Sequence, residues 1–166
     1  MQNVSTDIRI IVFPLEHQLI FFSFMLRYGP SDRFSTNFEN TVAGLIAKAY
    51  DVNSASLTVN IPAEARSQLM LSDDFARIIY FMVQNKAPFS SVILAPPIEH
   101  TMKEVGEKIA ARVKKTINFD STKSDNHFGN YSISAIFCDY MPGFTWTGLH
   151  DGLRLTMDWY EENMVK

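Results

Sequence analysis

What this sequence lacks narrows it first. It has a single cysteine, Cys138, so no intrachain disulfide can form and a cysteine-rich metal site is excluded. With Ile136 and Phe137 just before it, Cys138 is expected to be a packed core thiol. Glycine is scarce. Gly29, Gly44, Gly106, Gly129, Gly143, Gly148 and Gly152 form no G-x-G-x-x-G loop, the arrangement that lets backbone approach a pyrophosphate at a helix N-terminus. There is no P-loop, no G-x-S-x-G elbow and no H-E-x-x-H pair. The histidines, His17, His100, His127 and His150, are too scattered for a metal motif, and no tyrosine has a lysine four residues on for proton transfer. Positive charge is also short: 15 Lys and Arg against 18 Asp and Glu give a net charge of −3, which argues against a nucleic-acid partner.

No long uninterrupted apolar run is present. Ile10 to Leu26 is broken by Pro14, Glu16 and His17 and flanked by Arg9 and Arg27. A membrane span needs roughly 20 predominantly apolar residues, and no small-residue cleavage site follows this one. The segment is expected to form two buried strands broken at Pro14-Leu15-Glu16, in a soluble, cytoplasmic chain with no membrane partner.

What is present suits one globular domain: 166 residues, 46% hydrophobic and 20% charged. Ile8–Phe13 and Leu19–Leu26 read as strands covered on both faces. Tyr28-Gly29-Pro30-Ser31-Asp32 reads as a turn. Thr36 and Glu39 have capping-box spacing ahead of a helix with Val42, Leu45, Ile46 and Ala49 on one face. Strands are expected at Leu57–Ile61, Gln68–Leu71, Val92–Leu94 and Thr116–Phe119. A helix capped by Ser72 or Asp73 presents Phe75, Ile78, Ile79, Met82 and Val83, and another, boxed by Thr101 and Glu104, presents Met102, Val105, Ile109 and Val113. Asp120–Asn130 reads as a loop, Tyr131–Tyr140 is ambiguous, and Thr147 is expected to cap a last helix with Leu149, Leu153, Thr156, Met157 and Tyr160 on one side. Alternating strands and helices give an α/β class. Asp73-Asp74 reads as helix-dipole and capping chemistry, Lys114-Lys115 as a solvated helix end, and Trp146, Trp159 and Tyr160 as packing.

Several segments, in order, resemble GDP-L-fucose synthase, an extended short-chain dehydrogenase/reductase. Tyr28-Gly29-Pro30-Ser31-Asp32-Arg33-Phe34 resembles its Y/F-G-P-x-D-N-F turn, and Gly44-Leu45-Ile46-Ala47-Lys48 the helix after it. Leu57-Thr58-Val59 is similar to the strand before its substrate loop, and Arg66 to Ala76 to its R-R-E/Q-F segment running into D-L-A. Asn118 to Asp125 resembles its F-D-x-(S/T)-K-(P/S)-D loop, the most specific piece, and Pro142 to Thr147 its closing segment. The likeness covers nearly everything from Tyr28 onward, so residues 1–27 read as a remnant of the Rossmann sheet and 28–166 as the sugar-nucleotide-binding portion of the C-terminal half.

The resemblance implies that the family's NADPH and its catalytic Ser, Tyr, Lys and Cys belong to an N-terminal half with no counterpart here, so that this chain alone binds no cofactor. It implies contacts to a GDP-sugar from Lys48, Arg66, Lys123 and Asp125, and no catalytic residue. The family histidine that acts as an acid in epimerisation falls at Asn40, the tryptophan before the substrate loop at Asn60, the second arginine of the R-R pair at Ser67, and a later basic pair near Gly129 and Asn130. An amide cannot exchange a proton as an imidazole does near neutral pH. Three functions stay open: a synthase-like substrate-binding fragment that does not catalyse alone, a pseudoenzyme or interaction subunit docking on a complete reductase or another partner, and an active enzyme whose missing half comes from another chain. Leu19–Leu26, apolar and without its usual neighbours, is expected to lead to a homo-oligomer or to dependence on a partner subunit, unless the N-terminal strands pair with each other.

Overall fold

The computed structural model describes residues 9–15, 18–24, 27–37, 41–85, 91–120 and 139–165. The two N-terminal strands do pair with each other. β1 (Arg9–Leu15) and β2 (Gln18–Phe24) form an antiparallel ladder from Arg9↔Phe24 to Leu15↔Gln18. On its other side β2 pairs in parallel with β7 (Ser91–Leu94), so the sheet order is β1-β2-β7. Pro14 does not break a strand as expected. It lies inside β1, paired with Leu19, and the strands separate only after Leu15.

β3 (Arg27–Tyr28) leads into a turn closed by the Asp32 N–H donating to the Gly29 carbonyl at 3.3 Å. Pro30 supplies the fixed φ of the first central position and Ser31, with φ 63°, takes the left-handed second one. Helix α1 (Val42–Ala49) follows, capped by Thr41, whose Oγ1 accepts from the Gly44 N–H at 3.0 Å. The expected Thr36 cap is therefore displaced: the helix starts five residues further on, where Thr41 directly precedes its apolar face, and Glu39 lies outside the described residues.

β4 (Ser56–Val59) pairs in parallel with β9 (Thr116–Phe119). The single strand expected at Gln68–Leu71 is two short ones. β5 (Arg66–Ser67) pairs antiparallel with β8 (His100–Thr101), and β6 (Met70–Leu71) pairs in parallel with β3. The chain changes ladders between them, at Gln68, whose buried amide donates to the Pro96 carbonyl at 2.9 Å.

Helix α2 (Ser72–Gln84) has Leu71 at its N-cap and no side-chain cap, so neither Ser72 nor Asp73 plays that part. Helix α3 (Met102–Arg112) carries the expected capping box of Thr101 and Glu104. Helix α4 (Leu149–Met164) is preceded by Gly148, and Thr147 is used elsewhere. One core cluster joins α1, α3, α4 and β4 through Leu45, Ile46, Leu57, Val105, Ile109 and Leu153. A second, of Met70, Phe75, Ile78, Met82, Val92 and Leu94, packs α2 on β7, with Phe144 and Trp146 against it. Asp120 ends the described part of its loop; Lys123, Asp125, Cys138 and nearly all of Tyr131–Tyr140 lie outside the described residues.

Candidate functional site

Parallel pairing places the C-terminal ends of β4 and β9 side by side, with Val59 opposite Phe119 and the Asp120 N–H donating to the Val59 carbonyl at 2.9 Å. The segment 60–65 that follows β4 and the one opening at Asp120 therefore leave the same edge. The first is pinned onto the start of α3. The Met102 N–H donates to the Ala65 carbonyl at 2.8 Å and the Lys103 N–H to the Ala63 carbonyl at 2.9 Å. The Glu104 N–H is taken by Thr101 Oγ1 at 3.1 Å. The N–H groups a helix end ordinarily offers to an anion are thus occupied.

Arg66, on β5 just beyond the pinned loop, is an exposed cation. Its neighbourhood is not neutral. The Glu104 carboxyl is held below its ordinary range, first by the Thr101 N–H and then by His100 and by the charge of Arg66. His100 Nδ1 lies 3.4 Å from Glu104 Oε2. Ser67, the register partner of His100, is 1% exposed, and its hydroxyl has no hydrogen-bond partner among the described residues. A small buried serine there leaves Arg66 as the sole member of the R-R pair.

Lys48 is placed differently. It sits in the last turn of α1, half-buried, on the helix end that feeds the N-terminal end of β4. Arg66 follows the C-terminal end of the same strand. The chain path separates these two residues across β4; the start of the Asp120 loop meets Val59 at the end of β4, and Arg66 lies further along, on the β5–β8 ladder. Lys123 and Asp125, like Asn40, lie outside the described residues, and Asn60 is half-buried at the end of β4.

Two constellations escaped the sequence reading. Asp74, expected to cap or oppose a helix dipole, is 1% exposed and faces the closing segment. It accepts from the Thr147 N–H and from Thr147 Oγ1, both at 2.8 Å, and from Arg77. Arg77 also donates to the Thr145 carbonyl at 3.1 Å and lies over the Phe144 ring, 4.9 Å from its centre. This is where Thr147 goes in place of capping α4. The signal was in the spacing, since Asp74, Ile78 and Met82 fall on one helical stripe.

The second constellation is a fork on Arg112. Its Nε and Nη2 donate to Glu161 at 3.1 and 2.6 Å, and Nη2 reaches Asp158 at 2.6 Å. Tyr50 donates its hydroxyl to Glu161, and its ring meets Tyr160, which in turn meets Phe34. The Arg112 bonds, then the Tyr50 hydroxyl, hold the Glu161 carboxyl below its ordinary value of 4.5. A group whose pKa is depressed on folding stabilises above its unfolded pKa, and that contribution fades as pH falls through the folded pKa. Glu161 is 38% exposed, so screening limits the effect to about 0.5 kcal/mol. A Glu161→Gln variant is expected to melt slightly below the parent at neutral pH, and the gap to close well below pH 4.5, in thermal unfolding followed by circular dichroism.

Among the described residues no strand runs into a G-x-G-x-x-G turn that opens a helix. In a dinucleotide unit a strand ends in a glycine turn that opens a helix. Here β1 returns directly into β2, and β2 leads to the Gly29-Pro30 turn. Among the described residues no three His, Cys, Asp or Glu side chains gather as metal ligands, and no helix is long and apolar enough to cross a membrane.

No protein-family model matches the chain. A probable GDP-L-fucose synthase of Drosophila melanogaster is 23% identical over 82% of this chain and 46% of its own length. A putative GDP-L-fucose synthase 2 of Arabidopsis thaliana is 26% identical over 84% of this chain and 44% of its own length. Among solved structures, a GDP-L-fucose synthetase from Naegleria fowleri superimposes with a TM-score of 0.75 at 22% identity, over 86% of this chain and 45% of that one. The same synthetase has been solved bound to NADP. The chain spans about half the length of these relatives. Over most of its residues it is similar to GDP-L-fucose synthases, and its α/β fold is that of part of an extended short-chain dehydrogenase/reductase.

Proposed function

We propose that this chain is a GDP-L-fucose-synthase-like sugar-nucleotide-binding unit that does not catalyse alone. The observation that carries this reading is the β4–β9 edge, where the loop ending at Arg66 and the loop opening at Asp120 leave together. A diphosphate calls for charge-assisted donors. With the α3 end filled by loop carbonyls, Arg66 is the cation that the described residues offer, and the resemblance adds Lys123 as a second donor and Asp125 as a further contact to the sugar nucleotide. Lys48, tied to the other end of β4, is expected to contribute least. The single arginine beside Ser67 implies weak binding. The strand arrangement, with no glycine loop, supports a chain that takes no NADPH, and Asn40 with no Tyr/Lys pair supports the absence of turnover.

Calorimetric titration with GDP tests the reading, with NADPH as the parallel ligand. Saturable GDP binding and no NADPH binding are expected. Arg66→Ala and Lys123→Ala should each weaken GDP about tenfold or more, since a lost charge-assisted contact costs about 1.5–3 kcal/mol. Lys48→Ala should change little. Absence of GDP binding by a folded protein would overturn the proposal in favour of the interaction-subunit reading.

A further inference from the structure

β2 has no free edge, because β1 occupies one side and β7 the other. The outer side of β1 therefore ends the sheet in that direction among the described residues. Its backbone parity is fixed twice over. Two residues separate Leu15 from Gln18, and in a hairpin with a two-residue connection the closing pair exchanges both hydrogen bonds. The N–H groups of Leu15, Phe13, Ile11 and Arg9 then face β2, and those of Ile10 and Val12 face outward. Pro14 falls in the outward set, the one place in the strand where a missing N–H breaks no bond to β2. The chemistry of proline and the hairpin register require the same parity.

An incoming strand would find the β1 edge without a donor at Pro14. We infer that β1 is an edge guard: it covers the side of β2 that would otherwise be open and, through Pro14, stops a further strand from joining there, whether from a second copy of this chain or from a separate reductase half. The inference is independent of nucleotide binding. It bears on the expected self-association, because the apolar strand that motivated it is now internal to the ladder.

The test is self-association of the full chain by sedimentation equilibrium. Pro14→Thr restores an outward N–H on a residue suited to strands and is expected to tighten self-association about tenfold, roughly 1.4 kcal/mol. Val12→Pro, added to Pro14→Thr, puts a guard back at another outward position and should restore the parent's behaviour. Amide hydrogen exchange on the unaltered chain is the second measurement, and does not depend on any variant folding. Ile11 and Phe13 should be protected, and Ile10 and Val12 should exchange at least tenfold faster, on the order seen between bonded and solvent-facing amides. Unchanged association in Pro14→Thr, or equal protection at all four amides, would overturn the inference.

Discussion

Asp74→Ala is expected to lower the unfolding free energy by about 3 kcal/mol, the largest effect expected of a single polar change among the described residues. The carboxylate is 1% exposed and accepts from Thr147 twice, at 2.8 Å each, as well as from Arg77. Removing it strands the Thr147 N–H and hydroxyl in a part-buried position and unties the closing segment from α2. It also removes the charge that holds Arg77 over Phe144. For a domain of this size the melting temperature should fall by about 6–12 °C. Arg77→Ala should cost much less, because the Arg77 side chain is 54% exposed and water replaces its bonds. Chemical denaturation of the two variants checks the ordering. An Asp74→Ala loss no larger than that of Arg77→Ala would show that the carboxylate is not the anchor.

The second large effect is a single methyl group. A Cβ added at Gly152 would lie 2.1 Å from the Tyr28 hydroxyl oxygen and 2.9 Å from Cζ. Tyr28 is 2% exposed and sits in the larger core cluster, so its ring has little room to yield. Alanine gains about 1 kcal/mol of helix propensity over glycine, but overpacking a close-packed core typically costs about 1–3 kcal/mol. At 2.1 Å the clash belongs at the upper end of that range, so Gly152→Ala is expected to destabilise by about 2 kcal/mol net. The decisive comparison is a double-mutant cycle with Tyr28→Phe. That change deletes the nearest atom, so the alanine should cost measurably less in its presence. Additive effects in the cycle would mean that the contact is relieved by helix movement rather than at the ring.

Among the readings that survived, the apolar spacing of α2, the Thr101–Glu104 box and the strands at 92–94 and 116–119 depend on neighbours a few residues away, which a linear pattern records. The helix-start readings that failed share a cause. Thr36, Ser72 and Thr147 are all good cap residues in isolation, but a hydroxyl bonds whichever donor or acceptor the fold presents, and for Thr147 that was Asp74, 73 residues away in sequence. Proline cannot join a ladder on both sides, which is why Pro14 suggests a strand break in the linear pattern; among the described residues β1 has β2 as its one partner, so Pro14 is accommodated.

The candidate site divides in the same way. The sequence by itself determined what chemistry is available: one arginine followed by a serine, no glycine loop, an asparagine where an acid would be needed, and the order of segments that makes the chain similar to GDP-L-fucose synthases. Only the tertiary structure decided which of these residues meet. The parallel register of β4 with β9 puts two distant loops on one edge, the start of α3 is filled by the carbonyls of Ala63 and Ala65, and Lys48 is carried to the opposite end of β4. Residue type fixes charge and hydrogen-bonding capacity wherever a side chain lies, whereas proximity between residues 59 and 120 arises from ladder hydrogen bonds and core packing that no local pattern encodes.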